Sequence, residues 1–204
     1  MKTLLVVDDD PAIREIFSVL LSMEGYTVHA AAGGRECFDR LSSIPMDLVL
    51  LDIMMHPIDG WETLTAIRKN PETRHIPVIM LSGKSPSCEE IVLYGGWIED
   101  YLMKPISMET ITESLDAVFG RCLENQVAGK YFLQNSVKPD IVVEYFHLKK
   151  FLFFYGKFSP DFTESANDTC VDVSSMEARF TELDDILSAT RLTGTTGSQK
   201  SEQR

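Results

Sequence analysis

Short apolar runs alternate with amphipathic stretches along the first 120 residues. Residues 3–7 (Thr-Leu-Leu-Val-Val) form an apolar run that stops abruptly at Asp8, the pattern of a strand buried on both faces of a parallel sheet. Asp10 followed by Pro11 reads as an N-cap and first helical position. Behind them Ile13, Ile16, Phe17, Leu20 and Leu21 recur at helical spacing until Gly25. The alternation then repeats: strands over 26–32, 46–51, 76–81 and 98–103, and helices over 35–41, 61–69 and 88–94. A last helix in this part carries Ile111, Leu115, Val118 and Cys122 on one stripe. Five β-then-α units predict a parallel sheet with helices on both faces and right-handed connections.

The polar residues that interrupt this pattern fall at one kind of place. Asp8, Asp9, Asp52, Ser82 and Lys104 all sit just beyond the C-terminal ends of predicted strands. In an open α/β sheet that edge holds the ligand crevice, so residues scattered over a hundred positions are predicted to meet there.

Composition narrows the picture. The 204 residues allow a full-sized domain and an extension, with apolar and charged fractions of an ordinary globular protein. The net charge of −12 argues against a general polyanion binder. It is concentrated in residues 1–120, with 9 basic and 19 acidic side chains, against 10 and 12 in 121–204. Cys37, Cys88, Cys122 and Cys170 lie far apart without a metal-ligand spacing, the pattern of scattered reduced thiols. With no signal-peptide pattern and no run of membrane-spanning length, a cytoplasmic location is expected.

Three carboxylates gathered at one crevice cannot all stay ionised unaided. A hard divalent cation resolves the repulsion, and oxygen-only ligands favour magnesium or manganese. Lys104 adds a point charge suited to phosphate, and Ser82 a hydroxyl donor. A carboxylate nucleophile, a metal and a lysine together suit phosphoryl transfer, with Asp52, at the end of the central apolar strand, as the nucleophile.

The stretches Leu-Leu-Val-Val-Asp-Asp-Asp-Pro (4–11), Asp-Leu-Val-Leu-Leu-Asp-Ile-Met-Met (47–55) with Asp59-Gly60, Met-Leu-Ser-Gly (80–83) and Asp-Tyr-Leu-Met-Lys-Pro (100–105) resemble the receiver domains of two-component response regulators. The resemblance covers roughly residues 1–121 and implies a flavodoxin-like (βα)5 sheet of order 2-1-3-4-5. It implies that Asp52 takes a phosphoryl group from a sensor histidine kinase. Mg2+ would be held by Asp9, Asp52, the Met54 carbonyl and, mostly through water, Asp8. Lys104 would pair with the phosphate across a cis bond to Pro105, Ser82 would hydrogen-bond the phosphoryl oxygen, and Tyr101 would follow it inward as the switch aromatic. Such a protein is a phosphoacceptor switch rather than an enzyme acting on other substrates.

The chain departs from the family pattern in three respects. His56 stands where proline is common, with Pro57 following. Trp97 extends the stretch between Gly95-Gly96 and Tyr101 by about one residue. Met54 and Lys84 occupy the two positions that tune phosphoryl loss, and Met54 cannot orient a water, so slow self-dephosphorylation is expected.

Residues 122–190 form a predicted helical, aromatic-rich extension, and 191–204 a disordered tail. Ten of the chain's 19 aromatic residues fall between Tyr131 and Phe162. Pro139 starts a helix to about Tyr155, too short and too charged to span a bilayer; a further helix is expected over 175–189. No helix-turn-helix spacing with a basic recognition helix is present, so no nucleic acid is expected as a partner. The aromatics favour an interface, a homodimer or an unidentified downstream protein. The alternative is a transcription regulator with an unrecognised DNA-binding segment.

Overall fold

The computed structural model describes residues 1–159 and 173–197, the last seven as backbone alone. Twelve elements follow one another among them: β1 (Thr3–Val7), α1 (Pro11–Met23), β2 (Thr27–Ala31), α2 (Gly34–Ser43), β3 (Leu48–Asp52), α3 (Gly60–Lys69), β4 (Val78–Ser82), α4 (Cys88–Tyr94), β5 (Asp100–Met103), α5 (Met108–Gln134), α6 (Pro139–Phe158) and α7 (Ser174–Gly197). The chain divides into two compact units, one of residues 1–85 and 97–118, the other of residues 86–96 and 119–204.

The first unit holds the sheet. Its five strands pair in parallel in the order β2-β1-β3-β4-β5, the flavodoxin-like topology expected. Leu4–Val7, Leu48–Leu51 and Val78–Leu81 are completely buried. Helices cover both faces of such strands, so they need no polar alternation. Pro77 has no N–H to give a ladder, and β4 accordingly starts at Val78, two residues later than the apolar run predicts. Asp10 caps α1 by accepting the Ala12 N–H at 2.8 Å, and Asp59 and Glu62 close a capping box on α3.

The second unit is built from α4, the C-terminal half of α5, α6 and α7. Phe132, Val142, Tyr145, Leu183 and Leu187 form its core, and Tyr145 stacks on Phe180. The Tyr145 hydroxyl donates to Asp184 at 2.9 Å, which lets a polar tip enter an apolar centre. Helical residues thus make up the described C-terminal part, as expected, but three details differ. α5 runs unbroken through residue 121, where the composition changes, because neither Gly120 nor Gly129 breaks it. Gly129 faces Phe146 and Val142 of α6 at ordinary van der Waals distance. α7 continues to Gly197, past the expected start of the tail, whose remainder lies outside the described residues. Cys37 and Cys122 stand outside any disulfide, but Cys88 is disulfide-bonded, which corrects the expectation of reduced thiols throughout. Among the described residues no helix is long and apolar enough to cross a membrane.

Candidate functional site

The site forms where β1, β3 and β5 end. Asp8 follows β1 and is 1% exposed; Asp52 is the last residue of β3 and is 3% exposed; Asp9 is exposed. Carboxylate oxygens of all three lie within 4.8 Å of one another. Strand pairing explains the meeting: β1 lies beside β3, with Val7 opposite Leu51. The next residue on each strand is an aspartate, and the two arrive side by side.

Lys104, just past β5, donates from Nζ to Asp8 and to Asp52, at 2.7 Å each. Burial opposes its charge, but the hydrogen bonds to Asp52 and Asp8 outweigh that and hold its pKa above the ordinary lysine value. For Asp52 the balance runs the other way. Burial, with the neighbouring Asp8 charge, pushes its carboxyl above the usual range, against the pull of Lys104 and the Met54 N–H. Three carboxylates therefore face one ammonium. The donor set is all oxygen and its charge is under-compensated, which fits a hard divalent cation.

Backbone and second-layer contacts hold these groups. Asp8 Oδ1 accepts the Asp10 N–H at 2.9 Å, and Arg14 Nη1 donates to the Asp8 carbonyl at 2.7 Å. Gly60 must be glycine, because a Cβ there would overlap the Asp52 carbonyl and Ile53 Cα. The Lys104–Pro105 bond is cis as expected, and His56–Pro57 is cis as well.

Ser82 and Tyr101 stand behind this group. Ser82 Oγ accepts the Lys84 N–H at 3.2 Å, and the Ser82 carbonyl accepts the Lys104 N–H at 2.6 Å. Tyr101 points inward, 2% exposed, with its hydroxyl donating to the Lys84 carbonyl at 2.7 Å. The structure thus brings Asp8, Asp9, Asp52 and Lys104 into one cluster, with the Met54 N–H on Asp52. Ser82 and Tyr101 connect to it through Lys84 and the backbone of Lys104.

Sequence reasoning missed two supporting residues. Trp61 of α3 stacks on Tyr101, ring centroids 6.5 Å apart. Arg68 donates to the carbonyls of Trp97 (2.9 and 2.6 Å) and Ile76 (2.8 Å), which fixes the backbone at Trp97. Neither has a local signal; both are read as helix positions until the sheet is assembled.

Comparison with known proteins agrees with this geometry. The family model described as response regulator receiver domain matches residues 4–116. The N-terminal domain of a response regulator receiver protein from Methanoculleus marisnigri JR1 is 47% identical, at TM-score 0.50, over 58% of this chain and 96% of that one. TrrA of Thermotoga maritima, solved in complex with Mg2+ and BeF, is 33% identical, at TM-score 0.52, over 58% of this chain and 99% of that one. A relative from Synechocystis named as the DNA-binding dual master transcriptional regulator RpaA is 32% identical over 59% of this chain and 50% of its own length. The chain spans 24% of one curated relative that it matches and 50–54% of others.

Proposed function

The chain belongs to the response-regulator receiver family through residues 4–116, and from that premise we propose that Asp52 accepts a phosphoryl group from a sensor histidine kinase in a Mg2+-dependent reaction. On this reading the helical unit passes the signal on by protein–protein contact. One observation carries it: the Lys104 ammonium sits 2.7 Å from both Asp52 and Asp8 at the end of the central strands.

In the transfer an Asp52 carboxylate oxygen forms the new O–P bond as the N–P bond of the phosphohistidine breaks, and the imidazole nitrogen keeps the bonding pair. Asp9, Asp52, the Met54 carbonyl and Asp8 would hold Mg2+, which when bound offsets charge on the phosphoryl oxygens. Lys104, already shared between two carboxylates, pairs with the new phosphoryl group as Asp52 loses its own negative oxygen. Ser82 accepts from Lys84, which leaves its O–H to donate to a phosphoryl oxygen. Tyr101, already inward with its hydroxyl on the Lys84 carbonyl, would be held there as the switch aromatic. The chain then acts as a phosphoacceptor that catalyses only its own phosphorylation and a slow loss of the phosphoryl group.

Incubation with Mg2+ and a small phosphodonor such as acetyl phosphate tests this by intact mass. One added phosphoryl group is expected, labile to hydroxylamine and absent in Asp52→Asn or in EDTA. Modification that survives Asp52→Asn refutes the assignment. For the output, light scattering with Mg2+ and beryllium fluoride tests a homodimer formed on activation. The second reading, a transcription regulator, draws on the Synechocystis relative's name. Residues 121–204 carry 10 basic and 12 acidic side chains, a poor match to phosphate-backbone binding. Salt-dependent retention on DNA would favour it.

A further inference from the structure

α4 is a seven-residue helix, too short to hold itself together without tertiary packing. Its start is well capped: Ser87 accepts the Glu90 N–H, and Glu90 reaches back to the Ser87 N–H at 2.7 Å. Its one buried residue is Ile91. The element it packs against most is α6.

The junction is specific. Gly96, two residues past α4, lies under the His147 imidazole of α6, and a Cβ at Gly96 would overlap that ring. All three of the ring atoms nearest to that Cβ position belong to His147. A glycine on one segment and an imidazole seated over it on the other thus lock the end of α4 to the middle of α6.

The segment carrying α4 is pinned on both sides in the first unit. On entry, the Lys84 N–H bonds to Ser82 Oγ and the Lys84 carbonyl accepts from Tyr101. On return, the Trp97 carbonyl is held by Arg68. The entry pin runs through Ser82, the residue expected to move when Asp52 is phosphorylated, and through Tyr101, which is already inward. The return pin involves neither.

We propose that α4 and α6 move as one body, with Lys84 as the lever and Trp97 as the fulcrum, so that the state of Asp52 reaches the C-terminal helices through the Gly96–His147 lock. This rests on the phosphoacceptor reading above. It gives the helical unit a defined input, and it makes α6 rather than a bare α4 the surface that changes on activation.

Hydrogen–deuterium exchange on the full chain, with and without Mg2+ and beryllium fluoride, tests this. In the wild-type chain peptides from 86–96 and from 139–158 should change exchange together. In His147→Ala the 86–96 change should persist, while the 139–158 change shrinks about fivefold, the factor that about 1 kcal/mol of lost contact gives in an opening equilibrium. Gly96→Ala attacks the same lock from the other side and should uncouple likewise. His147→Gln, which keeps a planar side chain over Gly96, should retain coupling, which separates loss of the lock from general loosening of α6. An undiminished 139–158 response in both uncoupling variants overturns the proposal, as does a wild-type chain in which 86–96 responds and 139–158 does not. If the wild-type segments around Asp8 and Asp52 show no protection, the phosphoacceptor reading fails and the inference falls with it.

Discussion

Replacing Asp52 by asparagine should stabilise the metal-free protein, although it removes one end of a short ion pair. The carboxylate oxygens of Asp8, Asp9 and Asp52 lie within 4.8 Å of one another. At an effective dielectric of about 20 each such pair repels by roughly 3.5 kcal/mol. The 2.7 Å pair with Lys104 returns roughly 6 kcal/mol on the same scale, and taking the carboxylate out of water costs several kcal/mol. Asp52 takes part in two of these repulsions, roughly 7 kcal/mol together, which slightly exceeds the attraction before desolvation is counted. Burial reinforces that sign, because it holds the Asp52 carboxyl above its ordinary pKa and so disfavours the charged form.

Asp52→Asn is therefore expected to gain on the order of 1–2 kcal/mol at neutral pH in EDTA. Because folding raises this pKa, the stability tied to Asp52 is fully present below the unfolded-state value and is lost as pH rises through the folded one. The gain should accordingly fade towards about pH 3, where Asp52 is protonated in both states. Mg2+ at about tenfold its Kd should stabilise the wild-type chain by about 1.4 kcal/mol and the variant by much less. Urea unfolding followed by tryptophan fluorescence is the assay, since Trp61 and Trp97 are the chain's two tryptophans and both belong to the sheet unit. A variant less stable than wild type in EDTA at neutral pH, or one that gains equally from Mg2+, would refute the reasoning.

Two further outcomes follow from the same geometry. The Met54 side chain is exposed and offers no group to align a water, so the phosphorylated chain should persist well beyond seconds in Mg2+ buffer; decay within seconds, read by intact mass, contradicts this. Phe132 is 1% exposed at the centre of the helical unit, so Phe132→Ala should cost about 3–5 kcal/mol. Tyr145→Phe, which loses the bond to Asp184, should cost about 1 kcal/mol; equal losses in thermal melts followed by circular dichroism would show that the core is misassigned.

The sheet and the acidic cluster were legible in the residues themselves. Apolar runs ending in Asp8, Asp52 and Ser82, with the Tyr-Leu-Met before Lys104, mark buried parallel strands, and parallel pairing carries every such end to the same edge. Few alternatives compete, because a one-residue slip of any strand would move its polar terminus out of the crevice and its apolar side chains off the core. Local rules also placed α4 and the Asp10 cap, since a cap depends only on residues within one turn.

What remained hidden depends on contacts between distant positions. The two units part at 118–119, close to the composition change near residue 121, yet within α5, because helix propagation needs no more than the absence of a breaker. Trp61 reads as one apolar position of α3 until the assembled sheet sets it against Tyr101, and Arg68 reads as a surface charge until it meets the Trp97 carbonyl. The grouping of α4 with α6 was invisible for the same reason. Gly96 alone reads as a turn glycine and His147 as one polar residue on a helix, and only the tertiary structure sets the one over the other. Periodicity determines which face of an element is buried; which partner buries it is decided by packing.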